Sequence, residues 1–261
     1  MLIGTKDGLR RRVGRRMSVE MNLDRSWRRP VATFVGPQDG REIPWGNGGG
    51  ASRELILRTR ADTPDRLLWR MSTTRILTSC PFSAYAGYKR TITLLSGGAF
   101  TLDFFGEAPA HTVARFEPFD FNGGWKTHCN LPGDIAVVLN VMADESVIYS
   151  RTTLTPGPSA SRYRLETDAV LLYGLEGTTR LAAPFDLPAA EMKAGDMMAI
   201  ERAQGEDLEM AGNTNDARVL FFFLLSPPRA VGAVSRLPGT CREDRPAAAT
   251  GCRPARSCPS R

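Results

Sequence analysis

Thr91-Ile92-Thr93-Leu94-Leu95-Ser96-Gly97-Gly98-Ala99-Phe100-Thr101-Leu102-Asp103-Phe104 decides the fold class. In Thr91-Ile92-Thr93-Leu94 and in Thr101-Leu102-Asp103-Phe104 polar and apolar residues alternate, so one side of each segment is apolar and the other polar. A period of two belongs to strands with one face on a core. Ser96-Gly97-Gly98 supplies the turn between them. Working outward, further strands are predicted at Glu54–Leu57, Leu67–Thr73, Arg75–Thr78, His111–Phe116, Phe119–Phe121, Ile135–Met142, Ser146–Thr152, Arg162–Thr167, Ala169–Tyr173, Thr178–Leu181, Met197–Ile200 and Val219–Leu225. Turn signals such as Asn122-Gly123-Gly124 and Pro156-Gly157-Pro158 recur at roughly ten-residue intervals, the pattern of a sandwich or closed barrel. Pro64–Arg66 and Pro188–Met192 are read as short helical turns.

The 261 residues suit one large domain or two small ones, and 42% apolar residues are enough for a packed interior. The net charge of +6 is uneven. Residues 1–30 hold nine Lys/Arg against three Asp/Glu, and residues 226–261 hold seven against two. The body, 31–225, keeps 18 bases and 23 acids, so it is mildly acidic. The run Arg10, Arg11, Arg12, Arg15, Arg16 has the charge to meet phosphates, but short basic runs commonly sit in solvated tails, and a nucleic-acid partner is not expected. Cys241, Cys252 and Cys258 follow no zinc-binding spacing. Cys80 and Cys129 lie in strand-like surroundings and read as reduced core residues rather than a disulfide. No apolar run approaches the roughly 20 residues of a membrane span, and the arginine-rich start has no apolar stretch behind it. A cytoplasmic protein without a membrane partner is expected.

Thr155-Pro156-Gly157-Pro158-Ser159 is the best internal boundary, and after Ser226-Pro227-Pro228 the composition becomes too poor in apolar residues for a core. Four segments are therefore expected: a disordered basic extension over 1–25, a first barrel over 26–155, a second over 156–226, and a disordered tail over 227–261. The two barrels echo one another. Arg90–Gly98 resembles Ala169–Gly177, and Leu131-Pro132-Gly133-Asp134 resembles Met192-Lys193-Ala194-Gly195-Asp196, each Gly-Asp turn using glycine for positive φ.

More specific is Pro44-Trp45-Gly46-Asn47-Gly48-Gly49-Gly50-Ala51-Ser52-Arg53-Glu54-Leu55. It resembles the W-K-N-G-G-G-x-T-R-E-I signature of the HutD/Ves family. In the same order, Trp69-Arg70-Met71-Ser72 resembles the family's W-R-x-S strand, and Pro81–Arg90 its G-x-F-S-x-F-P-G-x-x-R segment. Phe119–Gly124 and Leu139-Asn140-Val141-Met142 resemble its F-x-F-x-G-D and D-x-N-x-M elements. The likeness is strong over about 44–143 and general over 160–225. Gly46 replaces a Lys, Ala86 a Pro, and Val138 an Asp of the family pattern. The resemblance implies an all-β, cupin-type double β-barrel (a bicupin). It also implies an association with histidine degradation and a regulatory or ligand-binding role, with no established reaction.

Cupin enzymes hold a metal with two or three His and a Glu, because divalent metals need such lone pairs at about 2 Å. This chain has only His111 and His128 and no H-x-H pair, so no metal, and no other cofactor, is expected. The Gly48-Gly49-Gly50 run lacks the G-K-[ST] of a phosphate loop, but glycines let backbone N–H groups approach a ligand. A small-molecule carboxylate is the expected partner. Its candidate binding residues are Arg53 and Arg90 for charge, and Asn47, Ser83 and Asn140 for orientation. For Arg53 and Arg90 a structural salt bridge stands equal to anion binding; for Arg70 the structural role is preferred. Asn47 also reads as a turn residue and Asn140 as a core amide. No catalytic residue is assigned. The rivals are a metal-independent isomerase or hydrolase using Glu54 and His128 as acid and base, and an interaction protein acting through its basic arm. A homodimer is compatible with the sequence.

Overall fold

The computed structural model describes residues 30–182 and 190–225. The basic arm, residues 227–261 with their three cysteines, and the start of the turn expected at Pro188 lie outside these residues. Among the described residues there are nineteen strands and no helix. They are β1 (Val31–Val35), β2 (Arg41–Pro44), β3 (Gly50–Thr59), β4 (Leu67–Ile76), β5 (Cys80–Phe82), β6 (Tyr88–Ser96) and β7 (Phe100–Asp103). Then follow β8 (His111–Val113), β9 (Phe119–Asn122), β10 (Thr127–Asn130), β11 (Ala136–Asp144), β12 (Ile148–Leu154) and β13 (Ser161–Leu165). The last are β14 (Ala169–Glu176), β15 (Thr178–Ala182), β16 (Ala190–Lys193), β17 (Met197–Glu201), β18 (Glu206–Gly212) and β19 (Arg218–Leu225).

The described residues divide into two compact units, 35–150 and 31–34 with 151–224. The division falls inside β12, a few residues before the expected boundary at 155/156, and Val31–Phe34 goes with the later unit. In the unit 35–150 a six-stranded sheet, β2-β3-β4-β11-β6-β9, packs on a four-stranded one, β5-β10-β7-β8. Their shared core takes Ile76, Ile92, Leu94 and Val138 from the first and Phe100, Leu102, Val113 and Cys129 from the second. The other unit packs β1-β17-β14-β19-β12 on β13-β18-β15-β16 around Leu172, Ile200, Phe221, Leu181 and Met210. Among the described residues no sheet closes on itself. The internal echo is nonetheless real in topology. Adding eight to every strand number of β4-β11-β6-β9 and β5-β10-β7-β8 yields the strand orders β12-β19-β14-β17 and β13-β18-β15-β16 of the other unit.

Most of the alternating segments contain strands, although the expected His111–Phe116 ends at Val113, where the chain turns and Phe116 takes φ 63°. Leu67–Thr73 and the first two residues of Arg75–Thr78 are one continuous strand, β4, joined through Thr74, while Leu77 and Thr78 lie beyond its end. The strands β2, β5, β10, β16 and β18 carry no marked apolar run, and β1 (Val31-Ala32-Thr33-Phe34-Val35), which does, lies outside the expected set. β2 is exposed along its whole length, β5 has three residues including a proline, and β18 buries Leu208 and Met210 between acids. Pro64–Arg66 is a turn closed by the Arg66 N–H donating to the Thr63 carbonyl at 2.8 Å, and Ala190–Lys193 is strand rather than helix. In the turn from β6 to β7, Gly97 has φ 93°, and a Cβ there would lie 2.1 Å from the Ile135 carbonyl oxygen. Only glycine fits. The paired Gly-Asp turns differ: Gly195 has φ 92°, whereas Gly133 is not in the left-handed region.

One polar cluster pins the end of β11. Asp144, 1% exposed, accepts hydrogen bonds from the Ser146 N–H (3.0 Å), the Ser146 hydroxyl (2.6 Å) and Arg66 Nε (2.6 Å), with Arg60 at 3.6 Å. Burial opposes ionisation, but these bonds outweigh it and hold the carboxyl below its ordinary 3.8. A depressed carboxyl adds stability above its unfolded value and loses it as pH falls through the folded one. Asp144→Asn is therefore expected to cost about 2 kcal/mol at pH 7. It should also flatten the acid limb of stability below about pH 4, read by urea unfolding across pH.

Candidate functional site

The inner face of the six-stranded sheet changes character along its strands. On β4 the residues of that face are Arg70, Ser72, Thr74 and Ile76; on β11 they are Met142, Asn140, Val138 and Ala136; on β6 they are Arg90, Ile92 and Leu94. The register lines them up in rows: Arg70–Met142–Arg90, then Ser72–Asn140–Ile92, then Thr74–Val138–Leu94. The apolar end joins the core. The polar end is left as a cavity of about 330 Å³, rimmed by Trp45-Gly46-Asn47 from the loop after β2 and by Pro81, Phe82, Ser83 and Tyr85. That volume is at the small end for ligand pockets.

Arg90 is the decisive group. It is 8% exposed, and no carboxylate among the described residues lies within ion-pair distance of it. Its hydrogen bond is a long one, from Nη1 to the Ser83 carbonyl at 3.4 Å, and its buried Nε donates to nothing. Aromatic faces surround it instead: Phe121 at 4.8 Å, Phe82 at 5.4 Å and Tyr85 at 5.7 Å from the guanidinium carbon. Burial pulls its pKa down to about 10, with Tyr85 opposing and the charge of Arg70 adding to the fall. At neutral pH it remains a cation. Across the row, Arg70 sits 3.9 Å from Glu54, donates to the Met142 sulfur at 3.2 Å, and also has a buried Nε without a partner. Arg70 and Glu54 roughly cancel, so the pocket carries one positive charge in excess.

Behind the arginines runs a chain of neutral groups. Trp45 Nε1–H donates to the Ser52 hydroxyl at 2.8 Å, Ser52 and Thr74 hydroxyls are 2.9 Å apart, and Asn140 Nδ2 donates to Thr74 Oγ1 at 3.3 Å. One hydroxyl proton is used between Ser52 and Thr74, so the other is left over as a donor. Asn140 Oδ1 is buried and accepts nothing. The pocket-lining residues thus hold two buried guanidinium Nε–H donors, one spare hydroxyl donor and one buried carbonyl acceptor without protein partners.

Four of the five predicted binding residues, Asn47, Ser83, Arg90 and Asn140, line this pocket. Arg53 does not. It projects to the other face of β3, where it pairs with Glu42 at 2.7 Å and donates to the Gln38 carbonyl at 2.8 Å. Arg70, expected to be structural, lines the pocket as well as facing Glu54. The signal was present: the period of two puts Arg70, Ser72 and Thr74 on the face of buried Ile76. Ser52, Ser72 and Thr74 were likewise missed. Asn47 holds the loop, accepting from the Gly49 N–H at 3.0 Å and donating to the Pro81 carbonyl at 3.4 Å. Two N–H groups of the triple glycine are spent within the loop. Gly48 N–H is spent on the Trp45 carbonyl and Gly49 N–H on Asn47. A Cβ on Gly50 would lie 2.4 Å from the Arg75 carbonyl, so close packing is what demands it.

Glu54 and His128 do not converge. Glu54 faces Arg70, whereas His128 sits between Pro81 and Asp103 in the ladder, on the side of β10 opposite its core residue Cys129. Neither lines the pocket. His111 stacks on Phe119 at 3.6 Å.

The HutD family model matches residues 37–217. An uncharacterized 21.2 kDa protein from the hutC 3′ region of Pseudomonas putida is 33% identical over 144 residues, 55% of this chain and 64% of that protein. Protein Ves of Citrobacter koseri is 37% identical over 108 residues, 40% of this chain and 55% of Ves. The chain thus spans less than two thirds of either relative. HutD from Pseudomonas fluorescens SBW25 (formate condition) superposes with a TM-score of 0.65 at 21% identity, covering 76% of this chain and 100% of that one. Oxalate decarboxylase of Lactobacillus farciminis, as a formate complex, reaches 0.55 at 7% identity, covering 76% and 87%. At these identities the likeness is one of fold, all-β and cupin-like.

Proposed function

Because this chain belongs to the HutD family, we propose that it is a bicupin that binds a small carboxylate metabolite, as a regulatory or accessory protein of histidine catabolism rather than an enzyme. The observation that carries the reading is Arg90: a buried cation with no counter-ion, beside Arg70, at the wall of an open cavity. A buried guanidinium is costly until an anion meets it. A carboxylate would take charge-assisted bonds from both arginines. The orphaned Asn140 carbonyl asks for an N–H or O–H on the same ligand. Urocanate, formiminoglutamate and formylglutamate each combine a carboxylate with an N–H. The location of one relative beside hutC points the same way. Guanidinium, amide and hydroxyl groups would do the binding in place of a metal or other cofactor. The recurring strand order supports the bicupin reading, with each unit an open two-sheet form of the barrel. Among the described residues there is no helix long and apolar enough to cross a membrane. The reading has the protein cytoplasmic, monomeric or homodimeric, with neither membrane nor nucleic acid as partner.

Calorimetric titration with the three compounds tests this. Heat with at least one is expected; no heat with any, from protein that is folded by circular dichroism, would overturn the reading. Asn140→Ala should weaken that ligand by about tenfold, the worth of one buried hydrogen bond, while leaving formate binding unchanged because formate has no N–H to offer.

A further inference from the structure

We propose that Cys80 and Cys129 form an oxidisable pair, which a hydroperoxide closes into a cross-strand disulfide that staples the rim of the pocket to the four-stranded sheet. The two residues stand directly opposite each other in the β5–β10 ladder. Opposed residues in an antiparallel pair have Cα atoms about 4.5–5.5 Å apart, inside the window a disulfide requires. Both thiols are free, and both side chains enter the same core. Rotation about the Cα–Cβ bonds is the movement the bond needs.

The pair lies under the rim. A Cβ on Gly49 would come within 2.8 Å of Cys80 Sγ, so the loop after β2 rests on this thiol. The next residue, Pro81, gives its carbonyl to Asn47, and Phe82 meets Trp45 edge-on at 5.8 Å. β5 has three residues and is the edge of its sheet. Short edge strands open locally at low cost. Burial raises both thiols above their ordinary value, Cys129 to about 12, so the closed pair is a poor nucleophile and reacts when the edge opens. On opening, one thiolate attacks the peroxide and breaks its O–O bond, giving a sulfenic acid and one water (or alcohol). The second thiol then displaces a second water as the S–S bond forms. Two thiols are oxidised by two electrons and the peroxide is reduced by the same two.

The test uses the full chain with Cys241, Cys252 and Cys258 replaced by Ser, so that tail thiols cannot compete. After hydrogen peroxide, trypsin and mass spectrometry without reductant, peptides 76–89 and 127–151 are expected joined, two hydrogens lighter than their sum. Recovery of both as separate thiols or sulfinic acids, from protein still folded, would overturn the pairing. In the oxidised protein, amide exchange over residues 46–50 and 81–85 should slow by about tenfold. A joined pair with unchanged exchange there would overturn the stapling of the rim. Neither readout uses a ligand, so both stand apart from the carboxylate reading.

Discussion

Arg90→Met is expected to weaken carboxylate binding by roughly a hundredfold while raising the unfolding free energy by about 1 kcal/mol. The two effects have one cause. In the unliganded protein Arg90 is a buried charge without a counter-ion, and its compensation is three aromatic faces and a long hydrogen bond. Methionine fills similar space and needs no counter-charge, so the fold gains what desolvation had cost, less the cation–π attraction. The ligand loses its charge-assisted bonds. Calorimetry and urea unfolding read the two sides separately. A variant that loses several kcal/mol of stability and still binds would make Arg90 a structural cation.

Phe104→Ala is expected to cost about 3–5 kcal/mol of stability, a loss of roughly 10 °C in the thermal midpoint. Phe104 is fully buried just after β7, with ring centroids 5.3 Å from Trp125, 5.7 Å from Phe121 and 6.0 Å from Phe119. Removing the ring leaves a cavity between the sheets that these neighbours can only partly fill. Phe121 is also the ring closest to the Arg90 guanidinium among those stacked on it. The same variant should therefore bind carboxylate more weakly, with Phe104→Leu recovering most of both losses. Thermal unfolding of the three proteins decides it. A loss below 1 kcal/mol would mean that the core closes over the gap.

How much of the site was legible can be judged at four residues. Arg90 and Asn140 were picked out because a charge and an amide stood in apolar strands, and both are buried at the pocket wall. Arg53 is suggested by its place at a strand start just after the triple glycine, and it lies outside the pocket, paired with Glu42. Its partner Glu42 lies on β2, an exposed edge strand with no apolar face to announce it, so neither the strand nor its register could be read. Arg70 was set aside although its alternation with Ser72, Thr74 and Ile76 placed it inward. An inward arginine reads as a salt bridge until the length of that bridge, 3.9 Å to Glu54, is known.

The amino-acid sequence by itself determined the local matters. Alternation of apolar and polar residues specified most strands, because side chains of a strand point to opposite faces whatever the surroundings. Five motifs in order specified the family, and the sequence supplies just two histidines. Only the tertiary structure decided which cations stay unpaired. That depends on strand register across the sheet and on which loops close over its polar end, and neither leaves a periodic trace in the chain. The excess of one positive charge in the cavity is a property of three-dimensional neighbours, and the proposed function rests on it.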